Sequence, residues 1–225
     1  MTHAAATVDE MGPPYPAERG LDVYNTKLGM WVFLASEVMF FAALIGTYII
    51  LRFGANGAWS RPGIVLNIPI TAFNTFLLIC SSVSMVKAYA SIQDGDQRGL
   101  RLWLGLTILG GATFVGIQVF EYIHLVEHGF TPAGIRDGSE LAALVANGTL
   151  PAATVGLYGS TFFTMTGFHG FHVTCGVISM IYLYLTKVLP GKYSKLDYRG
   201  IETVGLYWHF VDLVWIILFT IVYLI

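Results

Sequence analysis

Apolar residues gather in five long stretches along this chain, separated mostly by short polar intervals. The stretches cover about residues 28–51, 65–90, 102–122, 154–186 and 201–225. A helix needs about 20 apolar residues to cross the oil of a bilayer. A barrel strand would instead alternate polar and apolar over about 10 residues. Backbone groups in oil must be bonded within the protein, and a helix does this inside one segment. The pattern therefore predicts an all-α membrane protein, a single bundle of five transmembrane helices over residues 28–225. Residues 1–27 are polar and Pro-rich, with the run Gly12-Pro13-Pro14-Tyr15-Pro16. They lack the basic start and short apolar core of a signal peptide. They are expected to form a mobile tail, with the first span as an uncleaved anchor.

The connections are short except for residues 123–153, which mix turn signals (His128-Gly129, Thr131-Pro132, Asp137-Gly138) with a possible short helix near residues 139–146. Five spans put the termini on opposite sides. Arg19, Lys27, Lys87, Arg98, Arg101, Lys187, Lys192, Lys195 and Arg199 fall on the N-terminal side, against Arg52, Arg61 and Arg136 on the other. Basic residues collect on the cytoplasmic side of membrane proteins. The bias predicts a cytoplasmic N-terminus and an outside C-terminus. No internal repeat and no matched pair of Gly/Pro-broken spans is visible, which is what a secondary transporter would offer.

Composition sharpens the picture. The 225 residues are 55% hydrophobic and only 12% charged, against about 25% charged in a soluble domain. A net charge of -2 points to no polyanionic partner. Cys80 and Cys175 lie inside apolar runs and read as small buried hydrophobes. There is no Cys-x-x-Cys pair, so neither a zinc ribbon nor a redox dithiol is implied.

The informative residues are polar ones inside the apolar runs. Glu37 lies about ten residues into the first span, and Asp212 about eleven into the fifth beside His209. His169 and His172 sit mid-way along the fourth. At about 1.5 Å per residue these fall near mid-membrane. An ionisable group there costs several kcal/mol unless it is paired, neutral or facing protein or water. Together they predict a buried polar layer facing the bundle interior or a partner. His169 and His172, three apart, share a helix face. That spacing serves a metal only with at least one more ligand aimed at the same point; interhelical hydrogen bonding needs no such convergence and is the reading adopted. His209 and Asp212 are also three apart, within reach of each other. Glu37 has no basic residue within a helical turn, so it is the candidate for storing or relaying a proton. The small residues Ala42, Gly46, Gly105, Gly110, Gly111, Gly116, Gly167 and Gly170 would let backbones approach.

These residues sit in longer motifs. The run from Trp31 through Ser36-Glu37-Val38 to Phe41 resembles the first conserved helix of cytochrome c oxidase subunit III, with its intramembrane carboxylate. Asn74-Thr75 fits the next helix, and Gln118 with Glu121-Tyr122 the one after. The run from Tyr158-Gly159-Ser160 to Phe163, followed by Gly167-Phe168-His169-Gly170-Phe171-His172, is similar to the family's most distinctive motif. Tyr207-Trp208-His209-Phe210-Val211-Asp212 to Trp215 resembles its C-terminal one. The resemblance covers about residues 25–225.

The resemblance implies a non-redox subunit of a proton-pumping haem–copper oxidase in a bacterial plasma membrane. It would support assembly, lipid binding and proton uptake by subunit I. Haem and copper would belong to partner subunits, with none bound by this chain. The expected partners are subunit I, subunit II, possibly a small subunit IV, and structural phospholipid. Glu37 matches a carboxylate near the subunit I interface on the proton-uptake side. Asn74, Gln118, Glu121, His169, His172, His209 and Asp212 would be helix contacts. This chain resembles the five-helix form and lacks the first two helices of the seven-helix form. A wall of the family's lipid-holding cleft is therefore absent, and another chain, such as an extended subunit I, is expected to supply it. The family's fold also serves quinol oxidases and a nitric oxide reductase accessory protein. An independent proton or solute carrier is the reading from another class.

Overall fold

The computed structural model describes residues 24–55, 59–60, 62–194 and 197–224. Most of the expected N-terminal tail, residues 1–23, lies outside the described residues, as do Arg61, Lys195 and the terminal Ile225. Among the described residues, five helices are long and apolar enough to cross a membrane. Helix α1 covers Asn25–Gly54, α2 is a single turn at Pro62–Val65, and α3 covers Ile68–Asp94. Helix α4 covers Gln97–Glu127, α5 is the short Glu140–Ala146, and α6 covers Ala152–Leu183. Helix α7, Arg199–Phe219, completes the set. A π-helical turn extends α6 over Tyr184–Val188, and another extends α7 over Thr220–Leu224.

Local chemistry sets the breaks. Asn67 caps α3 by accepting from the Ile70 amide at 3.4 Å, with Pro69 in the first turn where its missing N–H costs nothing. Gly95 ends α3 in the left-handed conformation at φ 79°, which a residue with a Cβ adopts only under strain. Asp96 then starts α4 by accepting from the Arg98 amide at 3.0 Å. The turn is so short that α3 and α4 fold back as an antiparallel hairpin, the most extensive helix contact in the molecule. Ser139 caps α5, so the short helix stands where the sequence suggested one.

Helices α3, α4, α6 and α7 form the bundle, and α1 leans on α6 and α7 from outside. Burial reflects this: 44% of the apolar window of α7 is buried, against 6% for α1. Trp31, Val32, Val38, Met39, Ile50 and Phe53 of α1 point away from the protein. Cys80 is exposed and Cys175 half-buried, which corrects the expectation that both are interior; the apolar medium around a membrane bundle accepts them as readily as a core does. The glycines divide similarly. A Cβ on Gly110 would lie 2.8 Å from Ser81 Cβ, and one on Gly111 2.5 Å from Trp208 Cη2. Gly46 and Gly116 face open space instead.

The segment between α4 and α6 folds over one end of the bundle. A two-residue hairpin pairs Phe130–Thr131 with Gly134–Ile135. It sits directly on α6 at Gly159, where a Cβ would come 2.7 Å from the Thr131 carbonyl oxygen. Phe130 is fully buried against Tyr158, Phe162 and Phe163. At the opposite end, Tyr24 and Lys27 clasp α7. The Tyr24 hydroxyl donates to Glu202 Oε2 at 3.1 Å, and Lys27 Nζ donates to Glu202 Oε1 at 2.5 Å. Arg199 lies over the Tyr24 ring at 4.7 Å.

Candidate functional site

The mid-membrane polar residues separate into two groups. The first joins α1 to α6. Glu37 Oε2 lies 3.1 Å from His172 Nε2, with both side chains less than a fifth exposed. His172 Nδ1 lies 2.7 Å from the Phe168 carbonyl oxygen one turn earlier. A carbonyl oxygen only accepts, so Nδ1 must carry a proton. Nε2 is then the atom that trades a proton with Glu37. Either the carboxylic acid donates to a neutral imidazole, or an imidazolium donates to a carboxylate. The pair has zero net charge in both forms, which is how an acid survives at this depth. Phe41 packs its edge against the His172 ring at 5.2 Å, and Phe40 flanks it at 6.4 Å. The Tyr207 hydroxyl donates to the His172 carbonyl oxygen at 2.8 Å, drawing α7 into the same junction.

The second group lies in the bundle core. His169 is fully buried, stacked on Trp215 at 4.8 Å and met edge-on by Phe114 at 5.9 Å. Neither of its ring nitrogens has a hydrogen-bond partner. His169 and His172 both touch the Phe41 ring, at 6.5 and 5.2 Å, but one stacks on Trp215 while the other meets Glu37. A spacing of three turns the helix by about 300°, and the remaining ~60° separates the α7 contact from the α1 contact. Along the α3–α7 seam, Trp215 Nε1 donates to Thr75 Oγ1 at 2.9 Å and Trp208 Nε1 to Ser81 Oγ at 3.1 Å. His209 Nδ1 lies 2.7 Å from Ser82 Oγ. Asp212 sits beside that same Ser82 hydroxyl and is 8% exposed. Ser82, rather than a direct His209–Asp212 bond, links the two.

Three further sequence candidates cross-link helices nearer one end. Asn74 Nδ2 donates to the Phe114 carbonyl oxygen at 3.2 Å, joining α3 to α4. Gln118 Nε2 donates to the Thr166 carbonyl oxygen at 2.8 Å, joining α4 to α6, where Gly170 leaves room for its amide. Glu121 accepts from Thr71 Oγ1 at 2.7 Å. Glu121 and Asn74 each lie six residues inside a helix end, roughly 9 Å deep, so they form a layer apart from Glu37 and Asp212. The hydroxyl partners Thr71, Ser81, Ser82 and Thr166, the last of which meets the Tyr122 hydroxyl at 2.5 Å, were not singled out from the sequence. A Ser or Thr inside a membrane helix commonly bonds its own backbone, as Thr166 does to Phe162, so its type alone does not reveal a partner.

No three His, Cys, Asp or Glu side chains converge as a metal site among the described residues. The two mid-membrane groups instead hold helices together and keep one acid–imidazole pair between α1 and α6.

Known proteins place this arrangement. The family model described as "Cytochrome c oxidase subunit III" matches residues 19–139 and 146–225. A "Probable cytochrome c oxidase subunit 3" of Mycobacterium leprae is 39% identical over 199 residues, covering 88% of this chain and 87% of the relative. "Cytochrome c oxidase subunit 3" of Corynebacterium diphtheriae is 37% identical, covering 88% and 87%. "Cytochrome c oxidase subunit 3" of Synechocystis is 36% identical, covering 87% of this chain and 74% of the relative. With the acid of the first span, the paired histidines of the fourth and the Trp-His-Phe-Val-Asp run of the last all inside the matched regions, the chain belongs to the cytochrome c oxidase subunit III family.

Proposed function

We propose that this subunit supports proton uptake and prolonged turnover of its oxidase through the Glu37–His172 pair, and docks on subunit I through the bare face of α1. The chain is subunit III of a haem–copper oxidase, an oxidoreductase complex of the bacterial plasma membrane. Its own part is not redox chemistry: in this reading haem and copper reside in partner chains, and subunit II completes the assembly. The observation that carries the proposal is the 3.1 Å contact between Glu37 and His172. Transfer between the acid and the imidazole leaves the pair neutral, and uptake of one further proton leaves a single positive charge, held on the imidazolium beside a neutral acid. The pair can buffer a proton near a path that a neighbouring subunit uses.

The exposure of α1 supports the docking part. Its outer face carries Val32, Met39, Ile50 and Phe53, each more than half exposed. An extended subunit I would cover that face, with phospholipid filling the remaining gaps. The test is Glu37→Gln in the assembled complex. Haem content and assembly should match wild type, while the rate or the working life under continuous turnover should fall. Undiminished activity through prolonged turnover would make Glu37 a passive residue. The names of the relatives favour cytochrome c over quinol as the electron donor.

A further inference from the structure

At the far end of α4, away from both polar groups, two histidines occupy successive turns in the run His124-Leu125-Val126-Glu127-His128. Both are exposed, and their ring centroids are 4.1 Å apart. A His-x-x-x-His spacing puts two imidazoles on one helix face, where they can share a metal ion. The bland role for this pair is capping. His128 Nδ1 donates to the His124 carbonyl oxygen at 2.8 Å. Capping, however, uses only one of the four ring nitrogens. It also orients His128 as metal-bound histidines are oriented, with one nitrogen fixed by a carbonyl and Nε2 left as the ligand. Phe120 stacks parallel to His124 at 6.3 Å and steadies the second ring.

The charges around the pair favour a cation. It lies at the C-terminal, negative end of a helix, with the exposed Glu127 carboxylate adjacent in sequence. A cavity of about 400 Å³, lined by Asn67, Glu121 and His124 among others, opens beside it and leaves room for coordinated water. We infer that His124 and His128 form a two-imidazole chelate for a borderline divalent cation of the zinc, nickel or copper class, with water completing the shell. Imidazole selects these ions over magnesium or calcium. Two protein ligands and an open shell describe a reversible site on the surface of this chain rather than a structural metal.

The test uses the purified oxidase complex containing this chain, dialysed to equilibrium against zinc and analysed for bound metal. Wild type should bind one more zinc ion per complex than either His124→Asn or His128→Asn. Equal zinc in all three complexes, or loss in only one variant, would overturn the chelate. A second measurement needs no variant. Zinc should protect both His124 and His128 of the wild-type complex from diethyl pyrocarbonate, and unprotected modification of either would overturn the site.

Discussion

Single residues in this protein are kept in oil by partners of modest strength. Glu121 is 7% exposed and accepts from a threonine hydroxyl on the neighbouring helix. Thr71→Val removes that donor without changing shape. The expected cost is on the order of 1 kcal/mol, since hydrogen bonds between membrane helices are weak and a stranded buried acceptor is costly. Thermal unfolding of the complex in detergent measures it, and an unchanged midpoint would mean Glu121 finds another donor. At this scale the sequence was partly legible. Glu37, His169, His172 and Asp212 stood out because ionisable groups in apolar runs need an explanation. Their partners did not stand out. Ser82 is one of four serines within α3, and nothing in its neighbours distinguishes the one that meets His209. Nor does spacing say that His169 meets Trp215 while His172 meets Glu37; that depends on which helices flank α6.

Individual helices are joined by close approach and by contacts at their ends. Gly111 lets Trp208 of α7 lie against α4, and Gly111→Ala would force a contact of 2.5 Å with its ring. Overpacking of this kind costs about 1–3 kcal/mol. Gly116→Ala on the same helix meets nothing and should be silent, so the pair of variants separates packing from helix propensity in the same unfolding experiment. Both glycines looked alike in sequence, because a small residue marks possible approach and not the presence of a neighbour. At the other end of α1, burial pushes the Tyr24 phenol from its ordinary 10 up to about 12, and the nearby Glu202 carboxylate adds to the rise. A raised value in the folded state means the neutral phenol is favoured there. The Tyr24 contribution to holding α1 on α7 is therefore intact below pH 10 and lost as pH climbs through about 12. A tyrosinate absorbance titration should lose a late-titrating group in Tyr24→Phe. If the variant titrates as wild type does, the clasp is open in solution.

At the scale of the whole molecule, the described residues form a four-helix bundle with a fifth helix resting on one side. Its five spans were legible because continuous apolarity over about 20 residues is the strongest constraint a bilayer writes into a sequence. The peripheral position of α1 was not, because a helix facing lipid or a partner is as apolar as one facing a core. That position matters to function. A helix with 6% of its apolar window buried, yet holding Glu37, fits the proposed docking on a partner subunit better than the centre of a self-sufficient carrier. The most direct measurement is the absorption spectrum of the material that co-purifies with a tagged form of this chain in mild detergent. A coloured complex is the expected result, with haem bands migrating with the chain through size exclusion. A colourless protein running alone, with full membrane levels of the oxidase left behind, would contradict this reading.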